Sequence, residues 1–558
     1  MASSKPSITP VNQEQDVDSH LPSPQMQYIT GVKLILVTGS LTAMVFIMTL
    51  NASVVATAIP SITSSFHSIN DIGWYGTAYV VSTCVLQPLS GKIYTLYSSK
   101  YTFLTCLCIF ELGSLISGIS RNSDMLIVGR AITGVGGSGL VGGAYTILGA
   151  SCPLEKRPTI IGIVTGVGAV GQIIGPLIGG ALTQHLSWRW CFYLNLPVGA
   201  PVFFFFLFLQ FPDSPKSPPS SWRQLPEKLD LVGFLAFAPA ILMILLAFQW
   251  GGSTYPWNSP TIIGLFIGGA ALIMIFGFLE HRRGETAMIP LALLKERVVY
   301  CACLTTMLQM GALMALSYYM PTWFQLVKED SPTTSGVSVL PSFGSQIVTS
   351  VVTGALVTRC GYYIPFAIAG SAISTIGAGL FTTFTPHTPS SRWIGYQILT
   401  GMGRGLVMQQ PITALQANTP RKVLPIVSAL IPLCQYFGTA LFVSLGTTVF
   451  TNTLTPALQM YAPGVDPKTV ISAGATGIKG LVSSEELPGV LLAANKALTD
   501  VFYLAVAASC LAFISCWGLG WKNIKEKRQE QQDVEGGGGP LQEDKGEKVV
   551  DLPSPTDK

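Results

Sequence analysis

Ionisable residues are rare inside the long apolar stretches of this sequence, and those that occur there are the first candidates for chemistry. Glu111 lies in FELGSLISG, Arg130 in LIVGRAITGVGG, and Arg404 in GMGRGLVMQQP. A charged side chain at the centre of a bilayer costs about 2.5–3.5 kcal/mol on insertion scales, so such residues usually face a cavity or a partner. Glu111 is the only carboxylate that we expect well inside a helix.

A structural role is the alternative for each of these residues. Glu111 could be satisfied by serine and backbone groups, and Arg130 could lock helices together by donating to backbone carbonyls. Arg404 could hold an acidic or carbonyl-bearing substrate, or it could cap a neighbouring helix. Asp71, Asp230 and Asp500 are expected to start helices, where a carboxylate accepts hydrogen bonds from exposed amides.

Polar and aromatic side chains in the same stretches are expected to lie near a ligand cavity. Aromatic and amide groups suit bulky, partly polar and largely uncharged ligands. Such a cavity would take a small-molecule substrate. The candidate cavity residues are Asn51, Gln87, Tyr319, Trp323, Gln325, Arg404, Gln409 and Gln410.

Glycines recur along residues 162–180 at spacings of four or five. Small residues at this spacing let helix backbones approach closely, and Pro176 removes one backbone hydrogen bond and can bend the helix. Ordinary helix packing is the alternative to a functional role. The glycines at these spacings are Gly162, Gly166, Gly171, Gly175 and Gly179, and Gly180 follows directly after the last of them.

Two strings match the pattern G-x-G-x-x-G, at residues 134–139 and 166–171. A dinucleotide site requires a preceding strand and an acidic residue for the ribose, whereas both strings lie inside predicted membrane helices. The 11 cysteines show no CxxC or Cys/His metal spacing. We expect no cofactor, no bound metal and no nucleic-acid partner.

The elements that position these residues are about fourteen apolar blocks, most of them near the length of about 20 residues that spans a bilayer core. Of the 558 residues, 49% are hydrophobic and only 11% are charged, whereas soluble domains carry about 25% charge. Backbone amides in hydrocarbon must hydrogen-bond internally, so each block is predicted to be a transmembrane helix. The blocks are residues 34–58, 72–94, 101–119, 125–149, 158–183, 190–211, 230–249, 261–279, 298–320, 335–357, 363–384, 393–415, 424–450 and 500–520.

Basic residues indicate which side of the membrane each loop faces. One set of short loops holds most of the lysines and arginines, among them Lys156, Arg282 and Arg421, and positively charged loops stay cytoplasmic. An even number of helices then places both termini in the cytoplasm. The cell membrane is the expected location, and a vacuolar or vesicle membrane is the alternative.

An internal repeat relates the two halves of the chain. Residues 91–100 (GKIYTLYSSK) correspond to residues 354–363 (GALVTRCGYY), and residues 132–140 correspond to residues 399–406. Predicted helices 1–6 therefore match helices 9–14, and parallel repeats of this kind are an architecture of transporters. The predicted segments are a disordered N-terminus 1–30, a six-helix bundle 31–211, a linker 212–229, two inserted helices 230–280, a linker 281–297, a second bundle 298–521 with a long extracytoplasmic loop 451–499, and a disordered tail 522–558.

Several strings together resemble the fungal branch of the fourteen-helix drug:proton antiporter family, within the major facilitator superfamily. They are LNASVVATAIPSI, WYGTAYVVSTCVLQPLSGKIY, GPLIGG, WRWCFYLNLPVG and YYMPTWFQ, and the resemblance covers roughly residues 31–521. It implies an all-α polytopic fold with two six-helix pseudo-repeats and two inserted helices. It also implies that GPLIGG belongs to an antiporter motif, and that Gly91, Lys92, Thr95 and Lys100 belong to a gating loop.

The resemblance implies an exporter of toxins, antifungals or secondary metabolites that is driven by the inward proton gradient. We expect it to act as a monomer. We do not expect an enzyme, because the 5 histidines form no HxxxH-type pair and no catalytic cluster. The family has an aspartate where this sequence has Asn51, and an amide cannot bind and release a proton. Glu111, acting with Arg130, is then the remaining candidate for proton coupling. Thr95 stands where the wider superfamily usually has an acidic residue. Uptake of siderophores or nutrients, a non-transporting receptor and a membrane enzyme are the alternatives.

Overall fold

The computed structural model describes residues 28–68, 71–209, 221–252, 254–465 and 486–525. Within these ranges the chain is mostly helical, and the β-bridge found there is an isolated pair between Gly251 and Tyr255. Most of the predicted disordered ends, half of linker 212–229 and the middle of loop 451–499 lie outside the described residues.

Fourteen long helices run through the described part of the chain, one for each predicted apolar block. In chain order they are α1 (Val32–Phe66), α2 (Ile72–Leu96), α3 (Ser99–Gly118), α4 (Ser123–Ser151), α5 (Arg157–His185), α6 (Trp190–Phe208), α7 (Leu231–Trp250), α8 (Pro260–Arg283), α9 (Arg297–Leu326), α10 (Leu340–Cys360), α11 (Ile364–Phe381), α12 (Ser390–Val407), α13 (Leu424–Tyr461) and α14 (Leu487–Cys516). Twelve are long and apolar enough to cross a membrane, and the more polar α2 and α12 complete the set.

Two of these helices are interrupted, although the sequence predicts a continuous block for each. Helix α6 consists of Trp190–Tyr193 and Leu196–Phe208, with Asn195 at the break. Helix α12 continues after a short turn as Gln410–Asn418. A proline lies at the start of each continuing segment, where its missing N–H and fixed φ are tolerated.

The predicted loop 451–499 is wrong at both ends. Helix α13 extends to Tyr461 and α14 begins at Leu487. Asp500, expected at a helix start, instead lies inside α14 and forms an ion pair with Lys496 at 2.7 Å. These two charges interrupt the apolar run in the third and fourth turns of α14, so the sequence pattern did not join the turns before them to the helix. Asp230 does cap α7, since its side chain accepts from the Gly233 amide at 2.9 Å. Asp71 precedes α2, but its carboxylate accepts from the hydroxyl of Ser123 and does not cap the helix.

The two halves, α1–α6 and α9–α14, repeat the same packing. In the first half α1 packs along α5, and α2 and α3 pack along α4; in the second half α9 packs along α13, and α10 and α11 pack along α12. The inserted helices α7 and α8 pack on each other, and α7 also contacts α2 and α13. The predicted repeat with a two-helix insert is therefore confirmed.

The halves meet at one end of the molecule, which we call the basic face and define by loops 152–156, 284–296 and 419–423. There the hydroxyl of Thr159 in α5 lies 2.8 Å from that of Thr358 in α10. The side-chain amide of Gln416 donates to the carbonyl of Tyr145 at 3.2 Å. Helix α2 lies against the first turn of α13. These contacts close the space between the halves at the basic face.

Candidate substrate cavity

A cavity of about 330 Å³ lies towards the end of the molecule opposite the basic face. Its walls come from α1, α2 and α4 of the first half, α13 of the second half, and the inserted helix α7. A second cavity of about 220 Å³ shares Thr77 and Gln249 with it. The residues lining the larger cavity are Ala52, Gly76, Thr77, Val80, Val81, Arg130, Leu245, Phe248, Gln249, Gly251, Thr439, Ala440, Val443, Ser444 and Thr447.

Arg130 provides the cavity with a cationic group, although the residue is only 1% exposed. Its Nε donates to the carbonyl of Tyr75 at 2.9 Å, and Nη1 donates to Oδ1 of Asn51 at 3.2 Å. The guanidinium lies 4.8 Å from the ring centroid of Tyr79 and 5.8 Å from that of Phe192. The sequence left open whether Arg130 locks helices together or faces a cavity. The structure shows both, because Arg130 donates to a backbone carbonyl and also lines the cavity.

Asn51 is fully buried and connects four helices around Arg130. Its Oδ1 also accepts from Nδ2 of Asn195 at 3.1 Å, and the same Nδ2 donates to Oγ of Ser114 at 2.7 Å. The acceptor beside Arg130 is thus a neutral amide, and no ion pair of Arg130 occurs among the described residues. Sequence reasoning missed Asn195, although it stands out as an amide in the aromatic string WRWCFYLNLPVG.

Glu111 lies away from this network. Both of its carboxylate oxygens are buried and lack a hydrogen-bond partner in the part of the chain that the structure describes. The carboxylate occupies the space that a Cβ on Gly199 of α6 would take, so it is wedged between α3 and α6. The structure does not bring Glu111 and Arg130 into contact, and Glu111 does not line the cavity.

The predicted aromatic residues of α9 lie inside the second half. The hydroxyl of Tyr319 is 3.1 Å from that of Thr447. Thr447 lines the cavity, so Tyr319 lies behind it. Trp323 donates from its indole nitrogen to Asn495 at 2.8 Å, and its ring packs against aromatic neighbours. Gln325 donates to Ser335 at 2.8 Å. None of the three predicted residues lines the larger cavity.

The predicted amides lie between helices. Nε2 of Gln409 donates to the carbonyl of Ser350 in α10 at 2.9 Å. Gln410 donates to the carbonyl of Leu406 in the preceding turn at 2.8 Å. Gln87 is fully buried where α2, α4 and α13 pack together. Neither polar atom of its side chain has a hydrogen-bond partner among the described residues.

Arg404 occupies a separate small space of about 20 Å³ in the second half. Nη2 donates to the hydroxyl of Ser342 in α10, and the guanidinium lies 5.9 Å from the ring of Phe343. Nε and Nη1 are buried without partners among the described residues. Arg404 and Arg130 therefore do not share one site.

The glycines of α5 let two different helices approach. Gly171, Gly175 and Gly179 face α1, and a Cβ on Gly175 would overlap Ser53. Gly162 and Gly166 face α10 instead. Gly180 has nothing within 4 Å, and Pro176 is exposed. The close packing predicted from the glycine spacing is confirmed on the α1 side, except for Gly180.

The predicted gating loop contacts two parts of the molecule. A Cβ on Gly91 would lie 2.9 Å from that of Ala429 in α13. Nζ of Lys92 donates to the carbonyls of Thr286 and Ala287, at 2.9 and 2.7 Å. Thr95 donates to the carbonyl of Lys92 at 2.7 Å. Lys100 lies apart and donates to the carbonyl of Leu207 at 2.6 Å.

Two buried carboxylates, Glu280 and Asp230, lie near Lys92. Glu280 is inside α8 and Asp500 is inside α14, so the expectation that Glu111 is the only carboxylate inside a helix is wrong. Glu280, in the last turns of α8, is fully buried and accepts from the Ile289 amide at 2.8 Å. Asp230 accepts from the Met288 amide at 3.0 Å and pairs with Arg283 at 3.0 Å. Both act electrostatically on Lys92. These contacts fix the inserted helices to the gating loop.

The chain is similar to known membrane transporters in both sequence and fold. The family model of the Major Facilitator Superfamily matches residues 41–443. The chain is 47% identical over 511 residues to the efflux pump mlcE of Penicillium citrinum, covering 90% of this chain and 92% of the relative. It is 45% identical over 512 residues to the MFS-type transporter pigP of Monascus ruber, covering 91% and 90%. The solved proton:xylose symporter XylE aligns with a TM-score of 0.58 at 12% identity, covering 89% of this chain and 99% of that chain.

Proposed function

The chain belongs to the Major Facilitator Superfamily, and on that premise we propose that it exports small organic molecules across a membrane by alternating access. The observation that supports this most strongly is the cavity, which lies where both halves contribute walls and where a buried arginine provides a polar anchor. The relatives named as an efflux pump and a transporter, each matched over about nine-tenths of both chains, support export.

The basic face is proposed to be cytoplasmic, because lysines and arginines concentrate in cytoplasmic loops. Both termini then lie in the cytoplasm. In this orientation the structure is an outward-facing state, with the cavity towards the outside and the cytoplasmic side closed. We place the protein in the cell membrane and propose that it works as a monomer.

The contacts that close the basic face suit a conformation that must open again. They include hydroxyl and amide hydrogen bonds between the halves, such as Thr159 to Thr358 and Gln416 to Tyr145. A neutral hydrogen bond contributes about 0.5–1.5 kcal/mol net. A few such bonds are small enough for a ligand or a proton to shift the equilibrium between the two states.

Proton antiport is proposed to drive the cycle through Glu111. Asn51 has no titratable group, whereas Glu111 is a buried carboxyl without a hydrogen-bond partner among the described residues. An unpaired carboxylate is costly to bury as an anion, so this packing favours the protonated form. Movement of α3 against α6 that admits water would let the proton leave.

A reversible cross-link at the basic face tests alternating access. The hydroxyls of Thr159 and Thr358 are 2.8 Å apart, so cysteines at both positions lie within reach of a disulfide. Cells expressing the double variant are preloaded with the N-methylamide of 1-pyrenebutyric acid, a neutral fluorescent compound. Oxidation is expected to stop its export, and a reducing agent to restore it.

The two single cysteine variants and the parent chain, treated with the same oxidant, control for the 11 native cysteines. Full export by a double variant whose disulfide is verified by mass spectrometry would contradict alternating access through this face.

A further inference from the structure

Arg130 brings into the cavity a positive charge that no carboxylate in the described chain compensates. Its acceptors are the amide oxygen of Asn51 and the carbonyl of Tyr75. These bonds use Nε and Nη1, which leaves the N–H groups of Nη2 without an acceptor among the described residues. The titratable neighbour that acts on the guanidinium electrostatically is the phenol of Tyr79, which is neutral near pH 7.

Burying a charge without a counter-ion is costly in a membrane-embedded site. An anionic group that reached Nη2 would remove this cost and form charge-assisted hydrogen bonds with a planar donor. Because Asn51 is neutral, no carboxylate at that position competes for the guanidinium. Arg130 is thus free to hold an anion supplied by a ligand.

The other residues that line the cavity restrict the polarity and size of such an anion. Val80, Val81 and Val443 present apolar side chains, and Thr77 and Thr447 add hydroxyl groups. The volume of about 330 Å³, with the adjoining 220 Å³, is in the range of small-molecule sites. A small inorganic anion would leave these apolar walls in contact with water, so the ligand needs a substantial apolar body.

The inserted helix α7 forms part of the cavity wall. Leu245 and Phe248 lie in its wall, and the ring of Phe248 is held by Phe266 of α8 and Phe437 of α13, with centroids 5.5 and 6.0 Å away. A wall fixed by packing on two neighbours limits the size of the apolar body. The insert therefore takes part in ligand selection.

We propose that the cavity selects amphipathic organic anions, with the anionic group on Arg130 and the apolar body against Phe248 of the inserted helix. This inference rests on the proposed export function and deepens it by naming a class of substrate.

The probes are 1-pyrenebutyrate and its neutral N-methylamide, which share the aromatic body and differ in charge. Their dissociation constants are measured by fluorescence on the purified full-length chain in detergent. We expect the parent chain to bind the carboxylate at least about tenfold more tightly than the amide, since hydrogen bonds to a charged group are worth about 1.5–3 kcal/mol. Equal affinities, or no binding of the carboxylate up to its solubility limit, would overturn the inference.

Asn51→Asp is the variant that tests the role of Arg130 with little change in shape. The new carboxylate would take the position of Oδ1, 3.2 Å from Nη1, and compete with the ligand. We expect it to weaken binding of 1-pyrenebutyrate about tenfold and to leave the amide unchanged within about threefold. An unaltered affinity for the carboxylate would show that Arg130 does not hold it.

Three further variants separate charge from packing. Arg130→Gln should lose the preference for the carboxylate, and Arg130→Lys should keep part of it. Phe248→Ala should weaken both probes by a similar factor, because it removes an apolar wall. Thermal unfolding of each variant checks that it is folded. Export of the amide without preference for the carboxylate would leave the proposed function standing and reject the anion site.

Discussion

Replacing Gly175 by alanine should destabilise the protein, because the close approach of α5 and α1 depends on the missing side chain. A Cβ at this position would overlap Oγ of Ser53 and would lie 2.9 Å from Cβ of Ser53 and 3.1 Å from the amide nitrogen of Val54. The last of these is backbone, so a rotamer change of Ser53 cannot relieve the contact. Helix α1 must move away.

Gly180→Ala is the matched control, since Gly180 is in the same helix and a Cβ there meets nothing within 4 Å. Both substitutions gain the same helix propensity, about 1 kcal/mol for glycine to alanine. The difference between the two variants therefore isolates the packing cost. Overpacking of a tight interface costs about 1–3 kcal/mol, and we expect a difference of that size.

The measurement is thermal unfolding of the purified variants in one detergent at one scan rate, followed by tryptophan fluorescence. Unfolding of a membrane protein is often irreversible, so the apparent midpoint must be compared at a fixed rate. Adding Ser53→Ala to Gly175→Ala should recover part of the loss, because it removes the Oγ but leaves the contact with Val54. Equal midpoints for the Gly175 and Gly180 variants would refute the packing explanation of the motif.

Three further substitutions test proton coupling, the closure of the basic face and the hydrogen bonds of Lys92. Glu111→Gln should abolish export driven by an imposed pH gradient and leave the gel-filtration profile unchanged; intact proton-coupled export would exclude Glu111. Gly162→Ala would bring a Cβ to 2.8 Å from both the Ser350 carbonyl and Oε1 of Gln409 and should open the basic face, seen as faster thiol labelling of a cysteine at Thr159. Gly166→Ala, whose nearest neighbour would lie 3.5 Å away, should not change the labelling. Lys92→Gln loses two charged hydrogen bonds, each worth about 1.5–3 kcal/mol, and should speed amide hydrogen exchange in residues 284–290; Lys100→Gln should have no effect there, and equal exchange in both variants would argue against the Lys92 clamp.

The helices were predictable because their signal is a long apolar block, which needs no knowledge of contacts. The repeat strings, such as those at residues 91–100 and 354–363, also predicted which helices correspond. The same signal failed at the start of α14, where Lys496 and Asp500 form an ion pair. A charged pair that is satisfied within its own helix looks, in the sequence, like part of a loop.

The site was only partly predictable. Arg130 and Asn51 were recognised one by one, but their hydrogen bond joins residues 79 positions apart and has no local pattern. The wall formed by α7 was missed because Leu245 and Phe248 are ordinary apolar residues of an insert outside the repeat. Trp323 was expected near the cavity, yet its residue type does not indicate which face of α9 it lies on.

Transport into inside-out membrane vesicles shows whether the protein exports small organic molecules. The lumen of these vesicles corresponds to the outside of the cell, and it is made acidic relative to the medium. We predict accumulation of 1-pyrenebutyrate in the lumen of vesicles that contain the parent chain, abolished by a protonophore. Passive distribution of a weak acid would instead deplete the probe from an acidic lumen, so accumulation reports transport. Export would be contradicted if neither 1-pyrenebutyrate nor its N-methylamide accumulated in the lumen. It would also be contradicted if the probes moved actively out of the lumen.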